Sequence, residues 1–181
     1  WITSQAKEKG LLIHMTKIYG NDERKPAPWA TWKPGDTDNA IEEWWRNLLA
    51  GVAGVRFHRP YSGIGLGERS IACIRATRKV ESKIPFWDVA PHMELIGERD
   101  DDEAYLAASP GKAYILYFTH QGAGSVTLDL EGYDGKSFSL QWVNMDTGEW
   151  GPETILRGGT SRTIARPDAS AHWVAAITAD E

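Results

Sequence analysis

Two helical stripes enclose one short apolar stretch, and that order restricts the fold more than any other feature of the chain. Residues 38–50 set Ile41, Trp44, Trp45, Leu48 and Leu49 at i, i+3, i+4, i+7 and i+8, which makes one helix face apolar. Thr37 or Asp38 can cap its start, Glu42 and Glu43 sit where the helix dipole favours anions, and Gly51 can close its end. The stretch VAGVRFHRP, Val52–Pro60, follows with almost no linker. Strand side chains alternate, so Val55 and Phe57 share one face while Arg56 and His58 share the other. A second helix is predicted over Glu68–Ser82, with Ile71, Ile74, Thr77 and Val80 along one side. Upstream, Leu11–Ile18 (LLIHMTKI) reads as a buried strand. Strand, loop, helix, strand, loop, helix is a βαβα unit, which predicts a parallel strand pair. Such a pair is covered on both faces only with further strands from a larger body.

The connections carry their own signals. Residues 1–10 are mostly polar and end on Gly10, a pattern for a helix closed by a glycine cap. Residues 19–37 form a long loop that opens with the turn formers Gly20, Asn21 and Asp22 and carries Trp29 and Trp32. Large aromatic residues in a loop seek burial or a ligand. Behind VAGVRFHRP, YSGIGLGE has three glycines, yet its spacing is not a dinucleotide fingerprint and no phosphate-binding lysine follows, so it reads as a βα loop. The acidic run Asp100–Glu103 lacks calcium-loop spacing and reads as a solvated turn.

Beyond residue 100 the texture changes. Lys112–Thr119 (KAYILYFT) is apolar on both faces and is expected to be a central strand. Val126, Leu128 and Leu130 alternate with polar residues, and Phe138, Leu140 and Trp142 line one face of another strand. Further strands are expected near residues 154–156, 161–165 and 171–178. Short strands at this spacing predict an antiparallel β-sandwich. In it, Trp150, just past a turn at Gly148, is the tryptophan most expected to be exposed to a sugar.

Composition narrows the function classes. A net charge of −5 argues against nucleic acid as the main partner. No apolar run is long enough to span a membrane. Cys73 is the single cysteine, so no intramolecular disulfide forms, and its helical setting predicts a buried thiol. His14, His58 and His92 lack zinc-ligand spacing, and no metal or other cofactor is expected. The chain begins with Trp1 rather than Met, so its true start is expected further upstream.

HMTKIYGND, IEEWWRNLLAG, VAGVRFHRP and WVNMDTGEW, in that order and spacing, resemble the C-terminal part of apiosidase-like glycoside hydrolases. The resemblance covers nearly the whole chain. It implies a (β/α)8 barrel followed by a small β-sandwich of the type described as a putative collagen-binding domain. The expected fold class is therefore α/β plus all-β: the last two βα units of a TIM barrel in residues 1–99, then an antiparallel β-sandwich in residues 100–181. The missing N-terminal part of the barrel would be a partner of this chain. The resemblance also favours a secreted or periplasmic protein.

Active sites of such barrels lie at the C-terminal strand ends. That assigns Lys17 and Tyr19 to one pocket wall and His58, Arg59 and Tyr61 to another, with Trp29 and Trp32 as loop aromatics for the sugar. A retaining glycosidase needs two carboxylates. Where the family pattern has a glutamate ahead of its tyrosine-glycine pair, this chain has Thr16-Lys17; Asp22 or Glu23, a turn later, could replace it, and Asp22 is the catalytic candidate. Arg56 and His14 are expected to be structural: Arg56 as a buried guanidinium held by a carboxylate, His14 as a core histidine. Two functions follow: a glycoside hydrolase-like protein acting on poly- or oligosaccharide, or a non-catalytic carbohydrate- or matrix-binding protein that has lost the usual nucleophile.

Overall fold

The structure is a computed structural model that describes residues 2–19, 37–59 and 64–180. Among the described residues three α-helices, α1 (Ile2–Glu8), α2 (Thr37–Leu49) and α3 (Glu68–Lys83), accompany eleven strands. In chain order the strands are β1 (His14–Ile18), β2 (Gly54–Phe57), β3 (Ala90–Pro91), β4 (Ile96–Gly97), β5 (Ala104–Ser109), β6 (Ala113–Phe118), β7 (Ser125–Leu128), β8 (Ser137–Asn144), β9 (Glu149–Arg157), β10 (Arg162–Ala165) and β11 (Trp173–Ala179). The fold is mixed α/β, with mostly antiparallel sheets.

β1 and β2 pair in parallel, Met15 opposite Val55 and Ile18 opposite Phe57, as the βαβα order requires. α2 packs beneath this ribbon, its Trp44 ring stacked 4.3 Å from Phe57. The predicted stripe of α2 is the one it buries: Ile41, Trp44, Trp45 and Leu49 are all buried. α3 differs from expectation. Ile71 is exposed, and the buried face is Ser70, Ala72, Cys73, Ala76, Thr77 and Val80. Small side chains there let α3 lie close to the β8–β9 turn, where a Cβ on Gly148 would stand 2.9 Å from the Ala72 carbonyl oxygen. The Trp44 indole donates to Thr77 Oγ1 at 2.9 Å, and Thr77 donates in turn to the Cys73 carbonyl, which links the two helices.

The helices form a layer between the ribbon and a six-stranded sheet of order β3-β5-β6-β11-β8-β9. Alternation explains how that sheet is covered twice. Ile115, Tyr117, Val143, Val174 and Ala176 face the helices. Tyr114, Leu116, Phe118, Phe138, Leu140, Trp142, Ala175 and Ile177 face the opposite way, into a second core. That core is completed by Val126, Leu128, Ile164 and Ile96 from a three-stranded sheet of order β10-β7-β4. β6 is central, as its double-sided apolarity predicts, and its neighbours are β5 and β11. β3 and β4 lie upstream of residue 100 yet pair with β5 and β7.

Several expectations are corrected. The glycine-capped helix at the start is present, with Gly10 at φ 63° and the Leu11 amide bonded to the Ala6 carbonyl. The strand behind it is not buried. β1 exposes every residue but Ile18, and Leu11 and Leu12 are 61% and 80% exposed. The acidic run is a turn with Asp100 and Asp101 exposed, but its end is not solvated: Glu103 is 1% exposed and accepts from the Asp100 and Gly124 amides. Asp102 reaches Arg46 of α2 at 2.6 Å, and Arg46 also holds Glu42. Of the tryptophans beyond residue 100, Trp150 is the most accessible, half-buried where Trp142 and Trp173 are buried, but it packs against the helix-side core with the ammonium groups of Lys79 and Lys83 over its ring. Ahead of the β region, Trp87 is exposed. No helix among the described residues is long and apolar enough to cross a membrane.

Candidate functional site

The C-terminal ends of β1 and β2 bring four of the sequence-selected residues together. Parallel pairing sets Ile18 beside Phe57, so the next residues, Tyr19 and His58, become neighbours. Their rings stack at 4.8 Å with 22° between planes. The His58 amide donates to the Ile18 carbonyl at 2.8 Å, and the Gly65 amide folds back on the His58 carbonyl at 2.9 Å. His58 is buried, Tyr19 half-buried, and Lys17 and Arg59 are exposed beside them. Burial holds the His58 imidazole below the usual histidine range, and the charges of Arg59, Lys17 and Arg56 add to the effect, against a backbone hydrogen bond that opposes it. At neutral pH this end therefore offers a neutral imidazole, an aromatic face and two cationic side chains. That set suits hydroxyl or acidic groups on a ligand more than it suits a cationic one.

The expected structural pair sits differently. Arg56 is exposed, and its Nε donates to the Thr16 carbonyl at 3.2 Å rather than to a carboxylate. His14 is exposed as well, its ring lying over Gly54, where a Cβ would come within 2.8 Å of Nδ1. Both point from the ribbon face opposite α2, which no layer of the described residues covers. Asp22, Trp29, Trp32 and Tyr61 lie outside the described residues.

A second polar cluster, which sequence reasoning missed, joins the helix starts to one end of the six-stranded sheet. Asp38 lies in the first turn of α2 and Arg69 in the first turn of α3. His120 follows β6, Asp146 turns between β8 and β9, and His172 immediately precedes β11. Arg69 Nη2 bridges Asp38 Oδ1 at 2.8 Å and Asp146 Oδ1 at 2.6 Å. The His172 amide and Nδ1 each meet the Asp146 carboxylate at 3.0 Å. His120 Nε2 meets Asp38 Oδ2 at 3.0 Å, and the two imidazoles lie 3.8 Å apart. Burial raises the Asp38 and Asp146 carboxyls, but hydrogen bonds from His120 and Arg69 to the first, and from His172 to the second, outweigh it and hold both below the usual range. The five residues span over a hundred positions with no common spacing. The one sequence signal available is that each falls at the end of an element, on the side where α2 and α3 begin.

No protein-family model matches the chain, and no curated protein sequence matches it. Solved structures do. One is a crystal structure of a glycoside hydrolase family 5 protein from Bacteroides vulgatus ATCC 8482, at TM-score 0.64 and 14% identity, matching 89% of this chain and 40% of that one. Another is described as a glycoside hydrolase, at TM-score 0.61 and 11% identity, matching 93% of this chain and 42% of that one. At such identities the likeness is one of fold. The chain spans about two fifths of the length of these structures.

Proposed function

We propose that this chain forms the C-terminal part of a glycoside hydrolase-like barrel protein, with β1-α2-β2-α3 as the last two βα units and the two-sheet region as a β-sandwich behind them. The observation that carries this reading is the parallel pair β1–β2, whose C-terminal ends set the Tyr19–His58 stack beside Lys17 and Arg59. In a barrel those ends face the substrate. Support for the larger body comes from the uncovered ribbon face and from solved glycoside hydrolases that share the fold. In this reading the ligand is a poly- or oligosaccharide. His58 and Arg59 donate to its hydroxyl groups, Tyr19 packs on a ring face, and Tyr61, Trp29 and Trp32 contribute from the loops. Asp22 is the candidate carboxylate for catalysis. The apiosidase-like kinship and the collagen-binding type of sandwich belong to the same proposal and rest on the quoted motifs.

A second reading is favoured by one observation. Thr16-Lys17, where the resembled family carries glutamate, stands exposed near the end of β1, and Lys17 brings positive charge there. The protein would then bind carbohydrate without cleaving it. One experiment separates the two: the intact protein is assayed for glycan hydrolysis and for binding on a glycan array, alongside Asp22→Asn and His58→Ala. Hydrolysis lost in Asp22→Asn establishes the enzyme. Binding that needs His58, with no turnover by any form, establishes the binding protein. Neither activity in the intact protein rejects both.

A further inference from the structure

The geometry points to a divalent-metal site of the zinc type, formed by Asp38, His120 and His172 and clasping the start of α2 to the ends of β6 and β11. It shares no residue with the Tyr19–His58 site and does not depend on any carbohydrate activity.

The argument starts from His172, 2% exposed at the entry to β11. Its Nδ1 faces the Asp146 Oδ1 atom at 3.0 Å. An ionised carboxylate only accepts, so Nδ1 carries the hydrogen and Nε2 is left with a lone pair. Arg69 Nη2 comes within 3.3 Å of that Nδ1 because both donors converge on the same Asp146 oxygen. Nε2 itself is buried, with no hydrogen-bond partner among the described residues. A buried acceptor left unpaired is costly, and it marks a place where something else supplies the missing partner.

Two other donors lie close to that nitrogen. Asp38 Oδ1 is 3.8 Å from His172 Nε2, and Asp38 Oδ2 is 3.0 Å from His120 Nε2. One donor atom from each of the three residues falls within 4.8 Å of the others. Zinc held by two imidazoles and a carboxylate at about 2.0–2.2 Å brings its donors to about 3.3 Å apart, so a small inward movement completes the set. The half-exposed side formed by Asp38 and His120 leaves the fourth position to water. Asp146 stands behind His172 as the carboxylate that fixes the tautomer and ring of a ligating histidine. The His120 amide is held by Glu42 Oε1 at 3.1 Å, which steadies the loop that carries the second imidazole. Two carboxylates and one guanidinium give the cluster a net negative charge before any ion arrives, which favours a cation.

The test uses the purified chain and zinc chloride alone, titrated against a chromophoric chelator. One ion per chain is expected, and zinc should raise the melting temperature relative to chelator-treated protein. Asp38→Asn and His120→Ala should each weaken zinc binding at least about tenfold, and Asp146→Asn by about 10–100-fold through loss of ring positioning. His92→Ala, whose ring pairs with exposed Glu94 elsewhere, should bind as the parent does. Absence of stoichiometric zinc overturns the proposal, as does unchanged affinity in both Asp38→Asn and His120→Ala. Cobalt substitution in the unaltered chain keeps the question decidable if a variant fails to fold. Intense visible bands of a four-coordinate site support the proposal, and the weak spectrum of a hydrated ion overturns it.

Discussion

β1 and β6 look alike on paper and fare oppositely in the fold. Both are short apolar runs next to helix-forming or strand-forming neighbours. β6 is buried along almost its whole length, because helices cover Ile115 and Tyr117 while the three-stranded sheet covers Tyr114, Leu116 and Phe118. Among the described residues β1 has a helix on one side only, and Met15, although it pairs with Val55 of the helix-facing side, is still 37% exposed. The difference teaches that apolar content sets what a strand can bury, while the number of layers around it sets what it does bury. β6 has two cores to divide its side chains between, whereas the ribbon has one.

The largest effect that would break this contrast comes from truncating each strand. Leu116→Ala, in the sheet core, should cost about 2–5 kcal/mol by urea denaturation, and Met15→Ala within about 0.5 kcal/mol. Equal losses would mean that the ribbon face is covered in solution. Cys73 supplies an independent readout, since it is 0% exposed and burial pushes its thiol far above the usual range. Its labelling by a thiol reagent should follow global unfolding in both variants, and fast labelling of the native parent would contradict the closeness of α3 to the sheet.

A middle-sized effect sharpens how the helices meet the sheet. Gly148 has φ 75°, and a Cβ there would also stand 2.8 Å from Arg75 Cβ, whereas Gly132 has φ 77° and open space. Gly132→Ala should therefore cost about 1 kcal/mol of backbone strain alone, and Gly148→Ala about 2–3 kcal/mol. Melting curves of the two variants give the difference directly.

The smallest effect concerns acid. Asp38 and Asp146 are held below their ordinary value of 3.8, so both states are ionised above it and the stabilisation is fully present there. It is lost as pH falls through the lower folded values. The urea midpoint, measured with chelator present, should drop as pH falls below the ordinary value of 3.8, and Asp146→Asn should flatten that drop. An identical slope in the variant would show that the cluster does not bear on the docking of the helices.

Much of the fold was legible because periodicity is a local property. The α2 stripe, the parallel order of β1 and β2, the Gly10 cap and the two-faced character of β6 all follow from residues close in sequence. What stayed hidden depends on partners. Arg56 was expected to be buried because strands of its kind usually are, yet on a two-stranded ribbon its face is open. A charged run predicts solvent exposure for Glu103, but the Asp100 and Gly124 amides give it a satisfied buried place. Ile71 fell on the wrong side of α3 because close packing selects small residues over apolar ones. The cleft residues Tyr19 and His58 were found through strand ends. Asp38, Arg69, His120, Asp146 and His172 were not, since nothing short of the tertiary fold brings such distant positions to one edge.

The place of β11 has a consequence for how the chain is made. It is the last strand of the sheet to leave the ribosome, yet it sits in the middle, paired with β6 on one side and β8 on the other. Until it arrives, those two strands carry unpaired edges with apolar side chains on both faces, the arrangement most open to association between chains. The gap runs from Phe118 to Trp173, which takes roughly 3–11 s at typical synthesis rates. Slow codons between β8 and β11 lengthen that interval and should lower the soluble yield without altering the finished protein.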